Sequence, residues 1–151
     1  MSVFSLYDNV WTEAMDAKLM ELVITESDSK GNPKGIPKTW DFVVSVKGKI
    51  NAQFNMTKDV HFYILKLEYL EERYHLWVSL LREQGVFWDK FTNILRATDE
   101  TWRSIQEVRS AAMVYRNRGE PHYAALAKLF HDKVFEYLDY EDESPCSDDS
   151  D

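Results

Sequence analysis

A single cysteine among 151 residues has no partner for a disulfide and cannot build a thiolate zinc site, and that residue, Cys146, stands in an acidic stretch with several Ser. His61, His75, His122 and His131 show no ligand spacing with nearby carboxylates, so no metal is expected. No apolar run approaches the ~20 residues that cross a bilayer. The first residues lack the basic-then-apolar layout of a secretion signal, and the expectation is a soluble, intracellular chain without membrane contact. Internal repeats, a Gly-rich phosphate loop, a nucleophile elbow and a helical His pair with Glu are all missing. Glu71 and Glu72 stand side by side on a solvated helix flank. Nothing proposes a chemistry, so neither an enzyme nor a cofactor nor a small-molecule substrate is expected.

A basic excess is missing too, but the net charge of −8 is unevenly placed. Asp139, Glu141, Asp142, Glu143, Asp148, Asp149 and Asp151 crowd the last thirteen positions with no base among them. Without these seven of the 26 acids, 19 remain against 18 Lys and Arg, and the body is close to neutral. Within it, residues 30–58 hold Lys30, Lys34, Lys38, Lys47, Lys49 and Lys58 against Asp41 alone. Residues 103–133 are mildly basic as well. This distribution is compatible with nucleic acid, though far from the basic signature of a dedicated binder. The composition divides the chain into a leader at 1–10, a body at 11–138 and an acidic tail at 139–151, with 141–151 expected to be disordered.

Aromatic and aliphatic residues are plentiful, and the stretch from Thr57 to Asp89 organises them. Val60, Ile64, Leu67, Leu70, Tyr74, Trp77 or Val78, and Leu81 follow the three-then-four spacing of one helix face. With Thr57 as N-cap and Gly85 as the stop, the spacing predicts a helix over about 58–84. Phe62, Leu65, Tyr69, Leu76 and Leu80 form a second stripe nearly opposite the first. Two apolar faces need two covers. Either flanking helices sandwich this helix, or part of the second stripe docks a partner.

Four further helices precede and follow it. Thr12 caps one that ends near Thr25, with Trp11, Met15 and Leu19 inward. A loop over 26–38 leads to a second, capped by Thr39, with Trp40, Val43 or Val44, and Phe54 in the core, extended by Val46 and Ile50. Gly48 weakens it by about 1 kcal/mol relative to Ala. Val86 to Asp89 forms an aromatic corner, and 90–97 reads as either short helix or extended chain. Thr98 or Asp99 caps a helix with Trp102, Ile105, Val108 and Ala112 on one face. After a turn at 116–119, Pro121 opens a final helix carrying Tyr123, Leu126, Phe130, Val134 and Tyr137. The last two helices are the natural cover for the second stripe.

The order Trp11-Thr12-Glu13, Leu19, Leu22, Lys34-Gly35, Trp40, Phe54-Asn55, Leu67, Leu70, Tyr74, Leu80-Leu81, Gly85 and Trp88-Asp89 carries a resemblance. It continues through Ala97-Thr98-Asp99-Glu100-Thr101-Trp102, Tyr115-Arg116-Asn117-Arg118 and Pro121-His122-Tyr123. Over about 11–130 the chain resembles the plant Myb/SANT-like family, related to trihelix factors and to the Myb-like protein of Harbinger-type transposons. The resemblance implies an all-α fold, a three-helix helix-turn-helix core with a long third helix extended by C-terminal helices. It also implies a nuclear location, a part in transcription and double-stranded DNA as a partner.

One departure stands out. The family's third helix usually carries several bases before its tyrosine, whereas this chain has Lys66-Leu67-Glu68-Tyr69-Leu70-Glu71-Glu72-Arg73. Acids beside the bases repel phosphates, so weak DNA binding by the isolated chain is expected. Lys47, Lys49, Lys58, His61, Lys66 and Arg73 are the candidate DNA contacts. Phe62, Leu65, Tyr69, Leu76 and Leu80 are the candidate contacts for a nuclear or chromatin protein. A SANT-type adaptor with little DNA affinity is the alternative.

Overall fold

The computed structural model describes residues 5–130. In chain order it comprises α1 (Glu13–Ser29), α2 (Trp40–Phe54), α3 (Val60–Leu81), β1 (Phe87–Asp89), β2 (Ile94–Arg96), α4 (Asp99–Val108), a 3-10 helix (Ser110–Tyr115) and α5 (Tyr123–Phe130). The architecture is mostly helical.

The helix starts follow local chemistry. Thr12 accepts from the Met15 amide at 3.3 Å, Thr39 from Phe42 at 3.3 Å and Thr98 from Thr101 at 3.1 Å, where the sequence places these caps. The cap of α3 is Asp59, not Thr57: its carboxylate accepts from the Phe62 amide at 2.9 Å. A charged acceptor at a helix N-terminus binds more strongly than a hydroxyl and also complements the dipole. α1 outlasts its expected end at Thr25 and closes only at Lys30, whose amide reaches the Glu26 carbonyl. α2 runs unbroken through Gly48, because Val43, Val46 and Ile50 bury one whole face of it.

Trp40 is not a core residue. It is 66% exposed at the first position of α2, and Phe42 fills the interior instead. Val108 is likewise 79% exposed, because α4 ends there and Ala112 enters the core from the 3-10 helix. The stretch over 87–96, which periodicity left open, is an antiparallel hairpin with Trp88 opposite Leu95. Residues 5–10 are more than a leader: Leu6 is buried and the Tyr7 hydroxyl donates to Asp16. The expected core positions Val134 and Tyr137 and the acidic tail lie outside the described residues.

α3 is the central element, but it has one broad buried face, not two opposed ones. Tyr63, Leu67, Leu70, Arg73, Tyr74, Trp77, Val78 and Leu80 form a continuous arc, closed through the flank that holds Arg73. α2 covers its N-terminal half, while the 3-10 helix and α5 cover the C-terminal half. There the Tyr74 ring stacks on Phe130 at 4.8 Å, and Trp77 meets Tyr115, Trp88 and Tyr123 edge-on at 5.1, 5.9 and 6.1 Å. The C-terminal elements thus cover the first stripe. The second divides: Leu80 is fully buried, Phe62, Tyr69 and Leu76 are half-buried, and Leu65 is 50% exposed.

The hairpin locks onto the start of α5. Asn93, at φ +55°, accepts from the Trp88 indole at 2.9 Å and donates through its side chain to the Glu120 carbonyl at 3.1 Å. The Gly119 amide donates to the Asn93 carbonyl at 2.7 Å, and a Cβ on Gly119 would overlap Asn93. Glycine is required by this close approach.

Ending the chain after Gly85 strips Trp77 and Tyr74 of their aromatic neighbours. Such a fragment is expected to aggregate or to melt without a cooperative transition by circular dichroism. A monomeric fragment with a sharp thermal transition would show instead that the first three helices fold alone.

Candidate nucleic-acid interface

The turn between α2 and α3 is fixed by one side chain. Asn55 closes α2 in the left-handed conformation, and the Asn51 amide group donates to the Lys58 carbonyl at 2.9 Å. The Asn51 oxygen accepts from the Tyr63 hydroxyl at 2.6 Å, so the end of α2, the turn and the first turn of α3 move as a unit. Lys58 and His61 are exposed at this corner, where the Asp59 carboxylate caps the positive end of the α3 dipole and the Lys58 ammonium lies 5.3 Å from the Phe62 ring centre.

Lys47 and Lys49 do not reinforce each other. Two positions apart on a helix, they point roughly 200° from one another. Lys47 is half-buried on the margin shared with Asn51, whereas Lys49 is exposed and lines a groove between α1 and α2 together with Lys30. Lys66 is half-buried, with its ammonium 4.8 Å from the Trp11 ring centre and 5.4 Å from that of Phe62. Burial lowers its pKa from the ordinary lysine value, and Asp8 and Asp16 offset part of that.

Arg73 is a correction. Expected to face phosphate, it is 2% exposed and belongs to a buried ionic cluster. Its Nε and Nη2 donate to the two carboxylate oxygens of Glu120 at 3.0 and 2.7 Å, and its Nη1 donates to Asp16 at 2.9 Å. Asp16 also accepts from the Tyr7 hydroxyl at 2.8 Å and the Trp11 indole at 3.2 Å, and His122 Nε2 lies 3.4 Å away. Glu120 accepts from the Tyr115 hydroxyl at 2.5 Å and the His122 amide at 2.8 Å. Burial alone would raise the pKa of Asp16, but His122, Arg73 and Tyr7 outweigh it and hold the carboxyl well below 3.8. Burial would lower that of Arg73, but Glu120 and Asp16 hold it above its ordinary value. Burial and Asp16 push the Tyr7 phenol up; burial and Glu120 do the same to Tyr115.

Sequence reading missed Asp16, Tyr115, Glu120 and His122 as partners of one group. The available signal was Arg73 itself, a base on the flank joining two apolar stripes. The open side of α3 carries His61, Leu65, Glu68, Glu72 and His75. Its bases are the histidines and, at the C-terminal end of the helix, the exposed Arg82. Among the described residues there is no cluster of three or more His, Cys, Asp or Glu suited to a metal, and no helix long and apolar enough to cross a membrane.

A Myb/SANT-like DNA-binding domain model matches residues 10–105. The chain belongs to this family. No curated protein and no solved structure matches it. The match takes in α1, α2, α3, the hairpin and most of α4, and ends before the segment that supplies Tyr115 and Glu120.

Arg73→Met leaves two carboxylates buried without their cation and is expected to cost about 3–5 kcal/mol in urea unfolding at pH 7. The folded pKa of Asp16 is depressed, so its contribution is present above 3.8 and is lost as pH falls below that value. Wild-type stability should therefore drop steeply below about pH 4. Asp16→Asn, though less stable, should show a shallower acid limb; an unchanged limb would remove Asp16 from the cluster's energetics.

Proposed function

We propose that this Myb/SANT-like chain acts in the nucleus as a chromatin-associated DNA-binding module, and that it meets duplex DNA at the α2–α3 corner rather than along α3. It works by binding, without catalysis or a cofactor. The observation that carries this is the placement of the bases: Arg73 is consumed in the core and Lys66 is half-buried against Trp11, while Lys58 and His61 are exposed at the N-terminus of α3. Lys47 borders that corner, and Lys49 extends the positive surface on the other margin of α2. So few cations neutralise few phosphates, which gives weak affinity and a shallow dependence on salt. Tight site-specific binding then needs a protein partner that supplies further base contacts.

The open side of α3 favours a second role for the same module. Leu65, half exposed, lies between Tyr69 and Phe62 with Glu68 and Glu72 nearby, an apolar and acidic surface that suits a protein better than a phosphate backbone. If this role prevails, the chain is an adaptor in which Phe62, Leu65, Tyr69 and Leu76 meet the partner, with Leu80 beneath them in the core.

A duplex titration over a salt series tests the DNA reading. Lys58→Ala should weaken binding and reduce the log–log salt slope by about 0.9, whereas Glu68→Lys and Glu72→Lys should change affinity little if DNA stays at the corner. Affinity for mixed duplexes is expected to be micromolar or weaker at physiological salt, within the range of non-specific binding. No detectable binding at low salt would leave the adaptor role alone.

A further inference from the structure

The lysines at 30–49 that the corner does not use form a surface of their own. Lys34, Lys38 and Lys49 are exposed and make no ion pair with a described residue, and Lys30 faces Lys49 across the α1–α2 groove. The acids nearby are mostly engaged: Glu26 lies 3.9 Å from Lys30, and Asp28 lies 3.7 Å from Lys128. Asp41 alone stands among these lysines. The segment is held in place rather than free, because Ile36 is buried and the Gly35 amide donates to the Leu129 carbonyl at 2.8 Å.

That last bond places the last described turn of α5 beside the lysine loop, and the Lys128–Asp28 pair holds the same turn against the end of α1. Asp139, the first of the seven clustered acids, follows nine residues after Phe130, at most about 30 Å of extended chain. The Gly35–Leu129 bond starts that stretch beside the loop that carries Lys34 and Lys38, and a short flexible tether holds its end at effective concentrations on the order of millimolar.

We propose that residues 139–151 dock on the surface formed by Lys30, Lys34, Lys38 and Lys49 and screen it from nucleic acid. The occupant is this chain's own acidic segment, selected by charge complementarity and by its exit point. The screening rests on the DNA reading above; the docking does not. Because the acids cover the lysines on the α1 side and leave Lys58 and His61 open, duplex binding is weakened but not abolished.

The single Cys146 lies within the acidic segment and accepts one nitroxide label on the full-length chain. At low salt the label should broaden amide signals of residues 30–38 and 45–49 selectively, and the broadening should vanish at high salt. It should also vanish when Asp139, Glu141, Asp142, Glu143, Asp148, Asp149 and Asp151 are all changed to Asn or Gln. Broadening that is absent, or spread evenly over the surface, would overturn the docking. The neutralised chain should bind a mixed duplex about three- to tenfold more tightly than wild type, a modest gain set by millimolar tethering. Equal affinities beside selective broadening would overturn the screening. If neither chain binds duplex while the broadening persists, the docking holds and the DNA reading fails.

Discussion

The fold depends on neutralising one guanidinium. Arg73 lies in the middle of the buried arc of α3, where an uncompensated cation would carry a desolvation penalty of several kcal/mol. Its two counterions come from opposite directions along the chain: Asp16 from α1 and Glu120 from the turn before α5. Other elements then serve the counterions. Tyr7 and Trp11 fasten the N-terminal segment to Asp16; Tyr115 fastens the 3-10 helix to Glu120; Asn93 holds the Glu120 backbone from the hairpin. Neither α1 nor the 115–120 segment can leave without stranding a buried charge. Hydrophobic contacts around Trp77 and Tyr74 supply attraction, and the ionic cluster ties α1, α3 and the 115–120 segment to one another.

Much of this was legible in the sequence. Thr12, Thr39 and Thr98 declare their helices, the long apolar series from Val60 to Leu81 declares α3, and the ordered motifs declare the family. The misses have different causes. Trp40 and Val108 are large and apolar, but a residue in the first or last turn of a helix takes its burial from where the next element crosses, which local spacing does not encode. The hairpin was hidden because three-residue strands are too short for a period-two pattern to emerge. Arg73 was misread because a base at the edge of an apolar stripe signals solvent unless its acids are known. Those acids stand 57 and 47 positions away.

For the candidate interface the consequence is a redistribution of charge. The family's third helix is expected to bring bases to DNA; here its two central bases serve the interior, and its open side is acidic and partly apolar. Exposed or half-buried lysines lie in the 30–38 loop, in α2 and at the α2–α3 corner. Lys47 and Lys49 look paired in the sequence, but helical geometry sends them to different margins. The turn geometry through Asn51 was invisible to spacing, since Asn51 carries no charge and belongs to no motif, yet it holds the corner on which the DNA reading rests.

The reach of the Arg73–Glu120 bond also bears on how the chain is made. During synthesis Arg73 leaves the ribosome 47 residues ahead of Glu120, and at roughly 5–20 residues per second that gap lasts on the order of 2–9 s. Throughout it the first three helices are already outside with only Asp16 to balance the guanidinium, and Trp77 has none of Tyr115 and Tyr123 to cover it. The nascent chain therefore shows a sticky, partly charged surface for on the order of millions of helix-forming times before its last segment arrives. A pause in translation that falls after Arg73 has emerged but before Glu120 has would lengthen that exposure, whereas one that falls after Glu120 has emerged would not.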